Sequence, residues 1–397
     1  MRHFLVGAAT GFCLCITRAT LFYSSISIIV AADNSCNADK TVGDNPNKNN
    51  NCPSVPQSSS NNDYKMTLPP TAYVTLKNKL VLCRVTTGLW QLSGAHNHRI
   101  TQQNLNAAVT DLVNLIEAGF TSVDLADHYG AAEDVVGELQ ASHPEVARKA
   151  VFMTKWVPQP GPMTDAIVLK ALDVSRRRMK MPTLDLVQFH WWEYSDPRYI
   201  NLVESAQNLV GQNVLRGVAL TNFDSARVVQ LATKADIVSN QVSFSIVDLR
   251  PLNQMLKVCQ ERNIVLISYG VLLGGLLTDR FLNKPEPSAA QLNTASLKKY
   301  MGFVRQWGSW TLFQELLNVL DAIAKKHNVS IANVAVRWVI EHDGVVALIG
   351  ARIGLQVHIE ENLKVFSFQL DSEDLSKIAQ VQRKARMLPG DCGDEYR

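Results

Sequence analysis

The chain has 397 residues and a mass of 44.0 kDa, and its 46% hydrophobic content is enough to bury a large core. A formal charge of +3 and a pI near 8.4 are too mild for a nucleic-acid binder, and no Lys/Arg run or aromatic–basic interleaving is present. The seven cysteines, at positions 13, 15, 36, 52, 83, 259 and 392, have no zinc spacing and no clustered histidine, so no metal site is expected. Cys83 and Cys259 read as small buried apolar residues.

Residues 1–32 contain no acidic residue and carry Arg2 ahead of, and Arg18 between, two apolar runs, Phe4 to Thr17 and Ala19 to Ala32. A basic start before an apolar run of this length reads first as a secretory signal. The Arg/Ser content and missing acids also suit an organellar transit peptide, a plastid address among them. If the segment is not functional, the protein stays in the cytoplasm. Together the two runs could form a signal anchor, although neither spans a bilayer alone; no stable membrane partner is expected after processing. Residues 33–70 form an Asn/Ser/Pro-rich tract that cannot bury a core and is expected to be a disordered linker. Cys36 and Cys52 within it could pair, but nothing requires it.

The fold is expected in residues 71–397. Ala72-Tyr-Val-Thr-Leu, Lys77-Asn78 and the following Lys79-Leu-Val-Leu-Cys-Arg-Val predict a hairpin ahead of the main fold. Apolar runs of strand length then recur at 86–91, 122–126, 150–156, 184–190, 216–221, 237–244, 265–271 and 345–350. Amphipathic helical patterns fall near 102–118, 132–141, 163–180, 198–210, 224–234, 253–262 and 330–342. Eight strands apolar enough to be buried on both faces, joined by helical crossovers, predict an α/β protein: a parallel sheet closed as a (β/α)8 TIM barrel. The interval from Val271 to Ser330, with Gly274-Gly275, Trp307, Trp310 and Phe313, is a long insertion after strand seven and a candidate lid. For Leu312 through Leu320 a helix packed on the barrel's flank is the better expectation.

The ends of strands two, three and four carry the chemistry. Strand two ends in Asp124, with Tyr129 five residues on; strand three ends in Lys155; strand four ends in His190. A core histidine or a rim lysine is unremarkable alone. Three consecutive buried strands ending in Asp, Lys and His are costly unless those groups pair or work. Carbonyl reduction fits them. A carbonyl accepting hydride develops oxyanion charge and needs a proton, and tyrosine, with a reference pKa of about 10, is a poor acid unless a neighbouring cation favours phenolate. Lys155 can supply that cation, Asp124 can hold Lys155, and a neutral His190 can donate a hydrogen bond to the carbonyl oxygen while Tyr129 gives its proton. Trp90, Trp156, Trp191 and His128 are candidates to line the mouth, or equally to pack between barrel and helices. Asp127 reads as a turn residue.

Over residues 71–390 the chain resembles an aldo-keto reductase, whose Asp-x4-Tyr, strand-end Lys and strand-end His match Asp124, Tyr129, Lys155 and His190. The resemblance implies that Thr221, Asn222 and Gln241 hold the carboxamide of a nicotinamide and that Tyr269 stacks on its ring. The family's adenosine-phosphate segment is similar to the stretch from Ile349 to Leu363, which implies cofactor contacts from Arg352 and Asn362. Here two extra residues separate the matching ends, and Gln356 stands where a basic residue often does. Arg352 is therefore the candidate for a 2′-phosphate, with a surface salt bridge as its alternative, and NADPH is favoured over NADH. No Rossmann Gly-x-Gly-x-x-Gly competes as a dinucleotide site. The implied activity is NADPH-dependent reduction of an aldehyde or ketone, with a small-molecule carbonyl as partner. The alternative is a nucleotide-binding regulatory subunit of the same superfamily.

Overall fold

A computed structural model of the protein describes residues 68–397, which all fall in one compact unit spanning residues 62–397. The signal segment, and the linker up to residue 67 with its cysteines, lie outside the described residues. A short 3-10 turn, Pro70–Ala72, leads into a hairpin of β1 (Tyr73–Thr75) and β2 (Val81–Cys83), paired antiparallel.

Eight parallel strands then close a barrel: β3 (Val85–Gly88), β4 (Ser122–Asp124), β5 (Val151–Trp156), β6 (Leu186–Phe189), β7 (Val218–Thr221), β8 (Ile237–Ser243), β9 (Val265–Tyr269) and β10 (Val345–Gly350), with β10 pairing back to β3. Every strand predicted from its apolar run is present, trimmed by up to three residues at an end where the chain leaves the ladder. A (β/α)8 barrel is the observed fold.

The crossover helices form because each carries one apolar stripe. In α1 (Leu105–Glu117), Ala108, Val109, Leu112, Leu115 and Ile116 recur at helical spacing and are all buried. The Asp224 side chain accepts from the Arg227 backbone N–H and so fixes the start of the helix Ser225–Leu231, and Ser330 with Asn333 forms a capping box on the helix Ile331–Ile340.

The barrel interior sorts by alternation. Val151 and Met153, Leu186, Ala219, and Val265 and Ile267 point inward and pack with Leu76, Leu80 and Leu82 of the hairpin. The hairpin is pinned to that end by Asn78, whose amide donates to the Arg216 carbonyl just ahead of β7. Since side chains alternate along a strand, the next inward positions toward the opposite end are Lys155, Gln188 and His190, Thr221, and Tyr269. One end of the barrel is thus closed by leucines and the other presents polar groups.

The interval after β9 is not one lid. A helix Trp310–His327 buries Phe313, Leu316, Leu317, Leu320, Ile323 and Ala324 and packs on the helices Ile331–Ile340 and Ser372–Gln382, as a flank element. The preceding helix, Ala295–Trp307, buries Tyr300, Met301, Phe303, Val304 and Trp307 and brings Lys299 against Tyr269. Within the described residues no helix is long and apolar enough to cross a membrane.

Candidate active site

Asp124 ends β4 beside the end of β5, and Lys155 reaches across to it. The Lys155 ammonium lies 2.6 Å from each Asp124 carboxylate oxygen and donates its third hydrogen bond to the Leu125 carbonyl at 3.1 Å. Both side chains are almost fully buried. Two further donors converge on Asp124 Oδ1: the amide of Gln188 at 2.8 Å and that of Gln241 at 2.7 Å, and Gln241 also donates to Gln188 Oε1 at 2.8 Å. A buried ion pair with every donor and acceptor engaged avoids the large cost of an uncompensated charge.

Tyr129 follows on the loop into the helix Ala132–Ser142. Gly130 makes that turn at φ +58°, where a Cβ would come within 2.6 Å of the Leu92 carbonyl oxygen, so glycine is required. The phenol ring packs edge-on against Trp90 and His128, both at 4.9 Å between centroids, and the Lys155 ammonium sits 5.0 Å from its centre. From the sequence, Lys155 is expected to lower the pKa of this tyrosine. The structure gives the opposite direction: burial above all, and then the Asp124 carboxylate, hold the Tyr129 pKa well above 10. Burial favours the neutral phenol, and the Lys155 charge beside it is compensated by the Asp124 carboxylate that its ammonium contacts. Burial likewise lowers the Lys155 pKa, against the pull of Asp124.

His190 leaves β6 on the inward side, two residues beyond Gln188. Burial, reinforced by the positive charges of Arg397, His128, Lys155 and Lys299, pushes its pKa well below 6.5, so the ring is neutral near pH 7. The Asn222 amide nitrogen lies 3.2 Å from His190 Nε2, while Asn222 Oδ1 accepts from the Tyr269 hydroxyl at 2.8 Å. Asn222 itself adopts a left-handed backbone conformation, φ +57°, that asparagine tolerates better than most residues. Thr221 Oγ1 beside it is buried with no hydrogen-bond partner.

The structure therefore brings Asp124, Tyr129, Lys155, His190, Thr221, Asn222, Gln241 and Tyr269 to one end of the barrel. The amide nitrogen of Gln241 serves Asp124 and Gln188. Arg352 stands apart on the exposed turn after β10, bridged through its backbone to Gln356, and it has no ion pair among the described residues. Asn362 is half-buried in the short helix Ile359–Leu363. Of the candidate mouth residues, Trp191 is core packing, donating to the Glu193 carbonyl and stacking on Tyr199, and Trp156 packs on Phe189. Asp127 accepts from His128 Nδ1 at 2.7 Å.

Sequence reasoning missed Gln188, although its place two residues before His190 on the inward face was a usable signal. It also missed Trp192, which is 42% exposed and 5.3 Å from the His190 ring, and the Lys299–Glu395–Tyr396 group at the mouth. No local pattern marks those. Among the described residues no group of His, Cys, Asp or Glu is arranged to hold a metal ion.

Residues 84–383 match the model of the "Aldo/keto reductase family". The chain is 26% identical to the glyoxal reductase of Bacillus subtilis over 291 residues, covering 72% of this chain and 88% of that protein. It is also 26% identical to the methylglyoxal reductase YeaE of Escherichia coli over 299 residues, covering 74% and 89%. In fold it is similar to a glycerol dehydrogenase from Gluconobacter oxydans, with a TM-score of 0.68, 22% identity and coverage of 81% of this chain and 98% of that one. A Klebsiella pneumoniae aldo/keto reductase solved in complex with NADP and acetate gives a TM-score of 0.61 at 20% identity, covering 81% and 97%.

Proposed function

Because this chain belongs to the aldo/keto reductase family and is an oxidoreductase that acts in carbonyl reduction, we propose that it reduces a small aldehyde or ketone with NADPH, Tyr129 acting as the general acid. The observation that carries this reading is the buried phenol of Tyr129, packed beside the Asp124–Lys155 pair at the same barrel end as a neutral His190.

Each residue's part follows from its surroundings. Raised by burial, Tyr129 stays protonated across the neutral range and can release its proton to the far more basic alkoxide as that forms. His190, neutral and fixed by β6, orients the carbonyl oxygen through its ring nitrogen without placing a second charge in the pocket. Asp124 holds Lys155 near the phenol ring, and Gln188 and Gln241 fix the carboxylate. Trp90, His128 and Trp192 would give the substrate pocket aromatic walls.

The residues fit a nicotinamide dinucleotide. The Thr221 hydroxyl, without a hydrogen-bond partner among the described residues, and the amide of Asn222 suit a carboxamide, and the Tyr269 ring offers a stacking face. Arg352, with no ion pair among the described residues, offers a cation for a 2′-phosphate, with Asn362 toward the adenosine end. When bound, NADPH supplies the hydride. That a structural relative was solved with NADP, and that two relatives are named as reductases of glyoxal and methylglyoxal, makes those two small dicarbonyls the first substrates to try. The test is NADPH oxidation by the described domain with these and a wider carbonyl panel. Turnover with NADPH in preference to NADH is expected; tight NADPH binding with no turnover on any carbonyl would point to a regulatory subunit instead.

A further inference from the structure

The segment from Asp391 to Arg397 crosses the mouth of the barrel and is tied down at its start. The Ser225 backbone N–H donates to Asp391 Oδ2 at 3.1 Å, and Arg250 donates to the Asp391 carbonyl at 3.3 Å and to Glu395 Oε2 at 2.8 Å. Gly393 lies directly on Asn222: at φ +84° a Cβ there would stand 2.2 Å from the Asn222 carbonyl oxygen, a contact only glycine permits.

From this close approach three successive side chains enter the site. Glu395 Oε1 accepts from the Tyr269 hydroxyl at 3.1 Å. The Tyr396 ring stands edge-on to His190 at 5.0 Å and tilted against Trp192 at 5.6 Å, while its hydroxyl accepts from Lys299 at 2.9 Å. Tyr396 is also near enough to Tyr129 to raise its pKa. Arg397 donates to the Asn222 carbonyl at 2.5 Å and lies 3.8 Å over the Tyr194 ring. Tyr269, His190 and Asn222 are three of the residues assigned above to the nicotinamide and the carbonyl substrate.

We propose that residues 393–397 act as an intramolecular competitor for the nicotinamide end of the cofactor, with Tyr396 lying where the ring and the substrate must meet and Glu395 engaging Tyr269. This rests on the NADPH reading of the site. The competitor is built to move. Cys392 and Gly393 are buried, whereas residues 394–397 are half-buried or exposed and are held by polar contacts that water or a ligand can replace. Gly393, between the anchor and the three side chains, is the natural pivot. Apparent cofactor affinity then falls with the fraction of molecules in which the segment is withdrawn, and weakening the segment raises it.

The test compares NADPH with 2′,5′-ADP, which carries the adenosine phosphates but no nicotinamide, on the full chain and on Tyr396→Ala, Tyr396→Phe and Glu395→Gln. Binding is read by calorimetry, and backbone hydrogen exchange of 393–397 is followed with and without NADPH. Tyr396→Ala should tighten NADPH on the order of 3–30-fold, with a smaller gain for Tyr396→Phe, which keeps the ring. Affinity for 2′,5′-ADP should not change, and amides 394–397 of the unmodified chain should exchange faster when NADPH is added. Unchanged or weakened NADPH binding in Tyr396→Ala, an equal gain for 2′,5′-ADP, or slower exchange with NADPH would each overturn the proposal alone. If NADPH binds none of the four proteins, the cofactor reading fails and the proposal falls with it. Thermal melting of each variant confirms that it is folded during the measurement.

Discussion

Two ionic groups, one buried and one half-buried, stand at the open end of this barrel, and they are built on different foundations. The Asp124–Lys155–Gln188–Gln241 group stands on β4, β5, β6 and β8, where inter-strand hydrogen bonds fix the backbone on both sides. The Arg250–Lys299–Glu395–Tyr396 group stands on the short helix Arg250–Asn253, a helix of the insertion and the 391–397 segment. Its members shift one another's acidity too. Burial would raise the Glu395 carboxyl, but Lys299 and Arg250 win and hold it below its ordinary value, while burial and then Tyr396 and Glu395 push the Tyr269 phenol well above 10. Perturbed titration therefore does not tell floor from roof. The backbone beneath does, because a strand-borne group cannot leave without opening the sheet, whereas residues 394–397, half-buried or exposed and outside any sheet, can.

The comparison is broken most sharply at Tyr129. Replacing Tyr129 with Phe should cut carbonyl turnover roughly 10²–10⁴-fold, the usual worth of a general acid, while leaving NADPH affinity nearly intact; steady-state kinetics beside cofactor titration would show a retained rate if the role is misassigned. Lys155→Met leaves Asp124 buried without its counter-ion and should cost about 3–5 kcal/mol of stability, read by denaturant melts. A loss under 1 kcal/mol would mean that the two glutamines alone satisfy the carboxylate.

Arg352 on the rim belongs with the movable class. Arg352→Ala should weaken NADPH by about 1.5–3 kcal/mol and NADH hardly at all, since one charge-assisted contact to the 2′-phosphate is lost. Equal weakening of both cofactors by titration would return that residue to a surface role. On the floor, Gln188→Leu removes one donor from a carboxylate that keeps two, Lys155 and Gln241, so a cost nearer ~1 than ~3 kcal/mol is expected in the same melts.

The smallest effect is the pH response of the floor itself. His190 is lowered from 6.5 on folding, so the unfolded chain takes up a proton there first and stability falls as pH drops below about 6.5. Tyr129 is raised from 10.0, so the unfolded chain loses its proton first and stability falls as pH rises beyond about 10. Between those limits these two groups should contribute a flat profile, and reductase rate at saturating substrate should likewise stay level from about pH 7 to 9. A titration centred near 7 in the rate, absent from His190→Gln, would show the histidine charging during turnover.

The group of Asp124, Tyr129, Lys155 and His190 was legible because its signal is local. A buried strand that alternates apolar residues and then ends in Asp, Lys or His announces itself within six residues, and Lys155 and His190 lie on the same inward row as the core residues Met153 and Leu186. Gln188 was legible by the same rule and was overlooked, because an amide inside an apolar run costs less than a charge and draws less notice. The insertion after β9 divided into a flank helix and a mouth helix, and only the apolar stripe of the first could be read in advance.

What the sequence by itself determined was the barrel, its polar end and the residues on which a phenol could act as an acid, since period-2 burial and the cost of charge at strand ends are properties of short stretches. What only the tertiary structure decided was how those residues are engaged. Gln241 meets Asp124 across 117 residues of chain, and Tyr269 meets Glu395 across 126. It also decided the direction of the Tyr129 shift, because burial of the phenol, set by the closed barrel and its loops, outweighs the lysine beside it. Such contacts are set by closure of the barrel and the return of the chain over its mouth, and no local pattern encodes them.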